Sequence, residues 1–295
     1  MDEAGNDTGP GLGRLLAEEL ARWPVGSAGV AVVDAGAVLA SAGDPGPFPW
    51  ASVTKLLTAL TVLHAADEGA VDLDAPAGPP GATVRHLLAH ASGLSLEGEK
   101  VMSPPGRRRI YSNRGIELAA EHLEHRTGRP FGVELAERVL GPLGLTGTRL
   151  QGSPAHGAHG PVRDLGRLGQ ELLAPRRLPE RVLRAATRTS FEGLAGVLPG
   201  FGRQDPNDWG LGFEIRGRKT PHWTSPGNAP STFGHFGQSG SFLWVDPEHS
   251  LACAAAGDTA FGPWAAEAWP RLSTGVLETA ARLRRRPREA EDAPR

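Results

Sequence analysis

The chain contains little cysteine, tyrosine or lysine. Of its 295 residues one is a cysteine, Cys253, one is a tyrosine, Tyr111, and three are lysines, at positions 55, 100 and 219. A single cysteine excludes an internal disulfide, and the apolar run LACAAA around it predicts a buried structural thiol. Because the chain is rich in alanine, glycine, proline and arginine, each remaining lysine and the lone tyrosine become candidates for a functional role.

Long apolar runs and a strong net charge are also missing. No run approaches the roughly 20 apolar residues that span a bilayer. The N-terminal MDEAGNDTGPGLG lacks the basic segment and apolar core of a secretory signal. A formal net charge of -2 gives no reason to expect nucleic acid or an anionic membrane as a partner. We therefore expect a cytoplasmic protein that binds neither; the composition leaves its oligomeric state open.

Strand patterns occur at both ends of the chain, and helical patterns lie between them. AGVAVVD and AVLASAG predict a hairpin near the N-terminus, and WGLGFEIRG, TFGHFG, SFLWVD and LACAAAG predict strands near the C-terminus. Leucines at helical spacing predict helices over residues 12–23 and 53–67, and an alanine-rich stretch predicts a closing helix over 263–283.

These patterns predict an α/β (α+β) fold built on one central antiparallel sheet. Strands from residues 26–42 and 208–257 form the sheet, and the terminal helices flank it. Residues 76–199 show almost no strand signal and predict an inserted all-helical subdomain, so residues 1–75 and 200–283 make up the sheet-containing part. The charged segment 284–295, which carries two prolines, is predicted to be disordered.

The tetrapeptide SVTK places Ser52 and Lys55 where a proline-rich loop turns into a helix. Residues three apart are neighbours on a helix surface, so the Ser52 hydroxyl and the Lys55 amine can meet. A serine hydroxyl is a weak nucleophile until a base takes its proton, and an amine can be that base. Alone, the motif is short and occurs often by chance, so a helix-capping serine and a solvated lysine would be the favoured interpretation.

Two further segments offer partners for this pair. In YSN, Tyr111 can handle a proton only if its surroundings shift its pKa, and Asn113 stands at the start of a predicted helix. In HFGQ, His235 and Gln238 lie in a predicted strand, where Gly237 indicates close approach of another backbone or a ligand. Each segment alone also fits ordinary packing or a turn.

Taken in order, the three segments resemble the motifs of the class C β-lactamase-like serine hydrolases. This group includes D-alanyl-D-alanine carboxypeptidases, class C β-lactamases and serine esterases. The flanks FPWASVTKLLTAL, TVRHLLAHASGL and FGHFGQSGSFLWVDPE are similar to the family's too, and the resemblance runs from Ala28 to Phe261. It implies a β-lactamase/transpeptidase-like fold and acyl transfer to a serine, without cofactor or metal.

The resemblance also implies a role for each motif residue. Ser52 is the nucleophile, Lys55 its immediate partner, and Tyr111 the base in acylation and then the donor to the leaving group. The same motifs imply four substrate-binding and oxyanion residues: Asn113, His235, Gly237 and Gln238. Whether Lys55 or Tyr111 takes the first proton stays open, since the two titrate as a coupled pair.

The third motif departs from the family's Lys-Thr-Gly or His-Thr-Gly. Phe236 has no hydroxyl, and His235 is expected to be only partly charged at neutral pH, so recognition of a substrate carboxylate is in doubt. The first choice is therefore an esterase-like hydrolase acting on a small ester or amide. A β-lactamase or a D-alanyl-D-alanine carboxypeptidase acting on a peptide is the second.

Three other classes compete with these readings. A non-catalytic binding or sensor module on the same fold has no need for both S-x-x-K and Y-x-N. A Ser-His-Asp hydrolase of the α/β type requires a G-x-S-x-G elbow, which the sequence lacks. A metal site would use His86 with His90 or His156 with His159, but Leu87 stands where H-E-x-x-H has glutamate, so packed or solvated histidines are expected.

Overall fold

The fold centres on a six-stranded antiparallel sheet to which both ends of the chain contribute. The structure, a computed structural model, describes residues 10–291, with side chains described from 11 to 284. The strands are β1 Ala28–Val33, β2 Val38–Gly43, β3 Pro47–Pro49, β4 Arg149–Leu150, β5 Ala158–Pro161, β6 Gly196–Leu198, β7 Gly202–Gln204, β8 Glu214–Ile215, β9 Phe233–Gly237, β10 Ser241–Asp246 and β11 Leu251–Gly257. The main sheet has the order β2-β1-β11-β10-β9-β8, so the predicted central sheet is confirmed.

Helices cover both faces of this sheet. They are α1 Pro10–Leu20, α2 Thr54–Asp67, α3 Val84–Leu88, α4 Asn113–Thr127, α5 Phe131–Leu135, α6 Gly141–Leu143, α7 Val162–Leu173, α8 Glu180–Thr187 and α9 Pro263–Glu291. A 3-10 turn, Ala51–Val53, precedes α2, and a π-helical turn, Ala136–Leu140, joins α5 to α6. Within residues 10–291, no helix has both the length and the apolar character needed to cross a bilayer.

The central strands are buried on both faces, which explains their unbroken apolar sequences. In β1, Val30 and Val32 join the core that contains α1 and α9, whereas Ala31 and Val33 join the core beneath α7 and α2. Successive side chains of a strand point to opposite faces, so a strand with two buried faces needs apolar residues throughout. Cys253 in β11 is likewise buried, and burial raises the pKa of its thiol.

Helix α7 contacts the sheet through a glycine that leaves no room for a side chain. A Cβ built on Gly169 would lie 2.9 Å from the Ala252 Cβ and 3.3 Å from the Leu243 Cδ1. Since the Ala252 methyl is fixed to the strand backbone, it cannot move aside as a long side chain could. The glycine therefore sets the distance between this helix and the sheet.

The predicted insertion is not purely helical, and this expectation is corrected. Strands β4 and β5 lie within it and form a three-stranded sheet with β3, and β6 pairs with β7 as a separate hairpin. These strands have only two to four residues, too few for an alternating pattern to emerge. β5 also contains glycine and proline, which normally weaken a strand prediction.

Two further boundaries differ from the expectations. Of the strand predicted over residues 209–217, only Glu214–Ile215 is extended, because the chain turns at Gly212, whose φ is +82°. Helix α9 continues to Glu291, so residues 284–291 are helical where disorder was predicted. Residues 292–295 of that predicted tail lie outside the described residues.

We expect Gly169→Ala to lower the free energy of unfolding in urea by about 1–3 kcal/mol, because the added methyl overpacks the helix–sheet contact. Gly132→Ala is the matched control: it also lies in a helix, and a Cβ there would have nothing within 4 Å. The control should raise the unfolding free energy by roughly 0.5–1 kcal/mol through helix propensity. Equal effects of the two substitutions would contradict the close contact.

Candidate active site

A cavity of about 230 Å³ opens where the turn before α2, strand β9 and the start of α4 meet. Its wall is mostly apolar and partly aromatic, with polar side chains around Ser52. Its lining consists of Ser52, Leu96, Tyr111, Asn113, Leu198, Pro199, Trp209, Glu214, His235, Phe236 and Gln238. The structure thus brings all three sequence motifs to one cavity.

Ser52 lies in a strained turn that leads into α2. The preceding residue, Ala51, has φ +43°, a left-handed conformation that is uncommon for a residue with a Cβ. Trp50 anchors the turn, because its ring is fully buried and its Nε1–H donates to the Gly160 carbonyl at 2.9 Å. The turn therefore holds Ser52 at the cavity wall independently of α2 itself.

Lys55 is fully buried beneath Ser52, and its ammonium group has three acceptors. Its Nζ lies 3.1 Å from the Ser52 Oγ, 2.6 Å from the Asn113 Oδ1 and 2.9 Å from the Ala155 carbonyl oxygen. Burial disfavours the charged form and lowers the pKa of Lys55 to about 7, against the opposing effects of Glu97 and Glu117. A large fraction of the molecules thus carries a neutral amine at neutral pH.

Sequence reasoning missed the third acceptor, the Ala155 carbonyl. The loop that presents it is held by two threonines of α2: the Thr58 hydroxyl donates to the Pro154 carbonyl at 2.6 Å, and the Thr54 hydroxyl accepts from the Ala158 N–H at 2.9 Å. A backbone carbonyl has no side-chain signature. Only the threonine spacing on α2 offered a signal, and threonines on a helix have many other uses.

Tyr111 lies between Lys55 and His235. Its ring centroid is 4.8 Å from the Lys55 Nζ, and its Oη is 3.3 Å from the His235 Nε2. Burial raises the pKa of the Tyr111 phenol above its usual value, although a hydrogen bond with Ser52 acts in the opposite direction. The phenol is consequently protonated at neutral pH.

His235 is neutral, which corrects the expectation of partial charge. Burial, followed by the nearby Lys55 charge, lowers the pKa of His235 to about 3. Its Nδ1 lies 2.6 Å from the Phe236 carbonyl oxygen, an acceptor, so the proton is assigned to Nδ1. The Nε2 is then the acceptor that faces the Tyr111 hydroxyl.

Gly237 allows β9 to approach the turn that carries Ser52. A Cβ at this position would collide with the Trp50 carbonyl oxygen and the Ser241 hydroxyl. That hydroxyl donates to the Trp50 carbonyl at 2.7 Å, which ties β10 to the same turn. Gln238 follows at the cavity wall, and its side-chain Nε2 donates to the Phe261 carbonyl at 3.2 Å.

Asn113 connects Lys55 to an acidic residue that the sequence did not indicate. Its Oδ1 accepts from Lys55, and its Nδ2 donates to the Glu97 Oε1 at 2.6 Å. Glu97 therefore fixes the amide with its oxygen toward the lysine. The negative charge of Glu97 also partly offsets the lowering of the Lys55 pKa by burial.

The two histidine pairs do not come together as ligands. Among the residues whose side chains are described, no three His, Cys, Asp or Glu side chains cluster as a metal site. His86 accepts from the Thr83 N–H at 3.3 Å at the start of α3, and His159 contacts the Gly157 carbonyl at 3.2 Å.

The model of the Beta-lactamase family matches residues 14–274. The chain belongs to this family. A crystal structure of a β-lactamase from Mycobacterium bovis is 49% identical, covers 89% of this chain and 98% of that chain, and superposes with a TM-score of 0.87. These matches confirm the β-lactamase/transpeptidase-like fold and place the chain among the serine hydrolases of that fold.

Two other proteins are more distantly similar. The D-alanyl-D-alanine-carboxypeptidase/endopeptidase AmpH of Escherichia coli is 28% identical over 141 residues, which is 35% of this chain and 37% of AmpH. The match therefore spans little more than a third of that relative. EstCE1, a hydrolase with promiscuous acyltransferase activity, is 15% identical with a TM-score of 0.76 over 94% of this chain and all (100%) of its own, and shows the shared fold.

We expect Lys55 to titrate near pH 7, because burial removes the hydration of its ammonium group. With three lysines in the chain, ¹³Cε-lysine labelling gives few resonances, and Lys55→Met identifies the relevant one. Glu97→Gln should lower the pKa of Lys55 further by removing a nearby negative charge. Glu99→Gln is the matched control on the same loop. A Lys55 pKa near its ordinary value, or equal shifts in both variants, would contradict this electrostatic account.

Proposed function

We propose that this protein is a serine hydrolase that cleaves uncharged carboxylic esters through a Ser52 acyl-enzyme, with Lys55 as the first base. The observation that carries the proposal is the hydrogen bonding of the buried Lys55 amine to Ser52, Asn113 and Ala155. The same chemistry would serve a small amide, although an ester has the better leaving group.

The neighbours of Lys55 orient its lone pair. The Asn113 Oδ1 and the Ala155 carbonyl can only accept, so each takes an N–H of the neutral amine. The lone pair then points to the remaining neighbour, the Ser52 hydroxyl at 3.1 Å. A base poised near the working pH is favoured for proton transfer, and the pKa of Lys55, about 7, meets that condition.

Tyr111 fits the role of proton donor better than that of first base, because its pKa is raised. In the proposed sequence, Lys55 takes the Ser52 proton as the Oγ–carbonyl carbon bond forms. Tyr111 then donates its proton to the departing alcohol oxygen as the ester C–O bond breaks, and it regains a proton from the Lys55 ammonium. In the second half of the reaction, water gives a proton to the neutral amine as its oxygen attacks the acyl carbon. The bond to the Ser52 Oγ then breaks, Ser52 regains a proton, and the acid is released.

The developing oxyanion requires two donors. The N–H of Ser52 belongs to the first turn of a 3-10 helix, where backbone donors have no intrahelical acceptor. The N–H of Gln238, at the end of β9, is proposed as the second. The contact made possible by Gly237 brings these two backbone segments together.

The cavity favours an uncharged substrate. Its lining contains neither arginine nor lysine, and His235 is neutral. Glu214, the lining residue with a fixed charge, is already paired with Lys219 at 2.8 Å. A substrate carboxylate would be buried without a cation, at a cost in free energy that an ester chain against Leu198 and Phe236 does not incur.

β-Lactam hydrolysis is the second candidate function. The Mycobacterium bovis protein, 49% identical to this chain, is described as a β-lactamase. A non-catalytic binding module is less favoured, because such a module has no need for a buried lysine hydrogen-bonded to a serine.

Wild type is expected to hydrolyse p-nitrophenyl acetate and butyrate and to form an acyl adduct on Ser52, since its hydroxyl contacts the Lys55 base. Rates are measured from p-nitrophenolate absorbance and the adduct by intact mass spectrometry. Ser52→Ala should lose both, whereas Ser231→Ala, an exposed serine, should change neither. Ester turnover that survives in Ser52→Ala would refute the proposal. Rapid nitrocefin cleavage by wild type would favour the β-lactamase alternative.

A carboxylate on the acyl chain should slow the reaction, because the cavity wall offers it no cation. p-Nitrophenyl butyrate and the p-nitrophenyl monoester of succinic acid differ chiefly in that group. We expect kcat/KM for the succinate to be lower by about tenfold or more, the effect of roughly 1.4 kcal/mol of unpaired charge burial. Equal or faster cleavage of the succinate would overturn the uncharged-substrate assignment while leaving Ser52 as the nucleophile.

A further inference from the structure

His90 lies behind Tyr111, outside the cavity lining. It follows α3, is fully buried, and has φ +53°, a left-handed conformation that a histidine adopts at a cost in strain. Strained backbone of this kind persists where the surrounding structure over-determines it. The contacts of His90 show what is being held.

His90 accepts hydrogen bonds from the residues on either side of Tyr111 in the chain. The Ile110 N–H donates to the His90 carbonyl at 2.9 Å, and the Ser112 N–H donates to the His90 Nδ1 at 3.2 Å. Between these two anchors, the Tyr111 ring lies on the imidazole with the centroids 4.6 Å apart. One residue thus fixes the backbone before and after the tyrosine and also one face of its ring.

The protonation state of His90 allows its Nδ1 to act only as a hydrogen-bond acceptor. Nδ1 accepts from a backbone N–H, so the proton belongs to Nε2, which has no hydrogen-bond partner among the described residues. The Trp209 ring meets the imidazole at 4.7 Å and 89°. Burial, with the charge of Lys55 as the next cause, keeps the pKa of His90 well below its usual value. The neutral ring therefore remains an acceptor toward Ser112.

We propose that His90 is a positioning residue for Tyr111: it sets the distance of the Tyr111 hydroxyl from Ser52 and from the leaving oxygen. The proposal rests on the role of Tyr111 in the proposed function. His90 acts through the tyrosine, because it touches neither the cavity nor Ser52. Misplacing a catalytic group by about 1 Å can cost a hundredfold in rate, so the effect on turnover should be large.

The first test is a double-mutant cycle with Tyr111. His90→Phe retains an aromatic ring but loses the Nδ1 acceptor, and it should lower kcat for p-nitrophenyl butyrate by about 10- to 100-fold with a smaller change in KM. In the Tyr111→Phe background the same substitution should have less than about a twofold effect. His90→Asn, which tolerates the left-handed backbone and offers an acceptor, should recover part of kcat.

The second test observes the tyrosine directly and needs no turnover. Because the chain has one tyrosine, ¹³Cζ-tyrosine labelling gives a single Tyr111 resonance. His90→Phe should shift this resonance, because it removes the imidazole contact and the Ser112 anchor. The control is His86→Asn, a histidine of α3 whose ring contacts Phe191; it should leave the Tyr111 resonance unchanged.

Equal losses of kcat in both backgrounds, or a Tyr111 resonance that His90→Phe does not move, would overturn the positioning role. These results are distinguishable from failure of the proposed function. If wild type forms no Ser52 adduct, the hydrolase mechanism fails, and the tyrosine resonance alone still decides whether His90 positions Tyr111.

Discussion

The burial of one amine organises the centre of this molecule. Lys55 has no contact with solvent, and a buried ammonium is tolerated only when all of its donors are bonded. Its acceptors come from three separate parts of the chain: the turn before α2, the start of α4 and the loop at Ala155. The requirement to satisfy this one group thus fixes the relative positions of three segments, and Ser52 is placed as a result.

A second constraint comes from the sheet side. Strand β9 reaches the Ser52 turn only because Gly237 lacks a side chain. The next strand, β10, contributes the Ser241 hydroxyl, which donates to the Trp50 carbonyl at 2.7 Å. The left-handed Ala51 then directs the chain into α2. The hydrogen bonds of Lys55 therefore hold one side of the cavity in place, and the close backbone contact between β9 and the Ser52 turn holds the other.

Much of the fold and all three motifs could be predicted from the sequence, because their signals are local. Strands such as β1 and β11 are buried on both faces and appear as apolar runs, and α2 carries leucines at helical spacing. The residues that could not be predicted act through backbone atoms or through contacts distant in sequence. Ala155 contributes a carbonyl, Glu97 orients an amide, and the role of His90 depends on a left-handed turn. The charge of His235 was misjudged for a related reason: its burial is a tertiary property.

The pairing of β1 with β11 constrains the order in which the sheet can form during synthesis. Ala31 lies opposite Ala254, so β1 finds this partner only after more than two hundred further residues have been synthesised. Ser52 and Lys55 are synthesised long before β9, the strand that completes the cavity wall. A nascent chain or a fragment that ends before β9 would carry the serine without its enclosing wall. Under the proposed mechanism, reactivity at Ser52 should therefore report that β9 has been synthesised and has folded against the turn that carries Ser52.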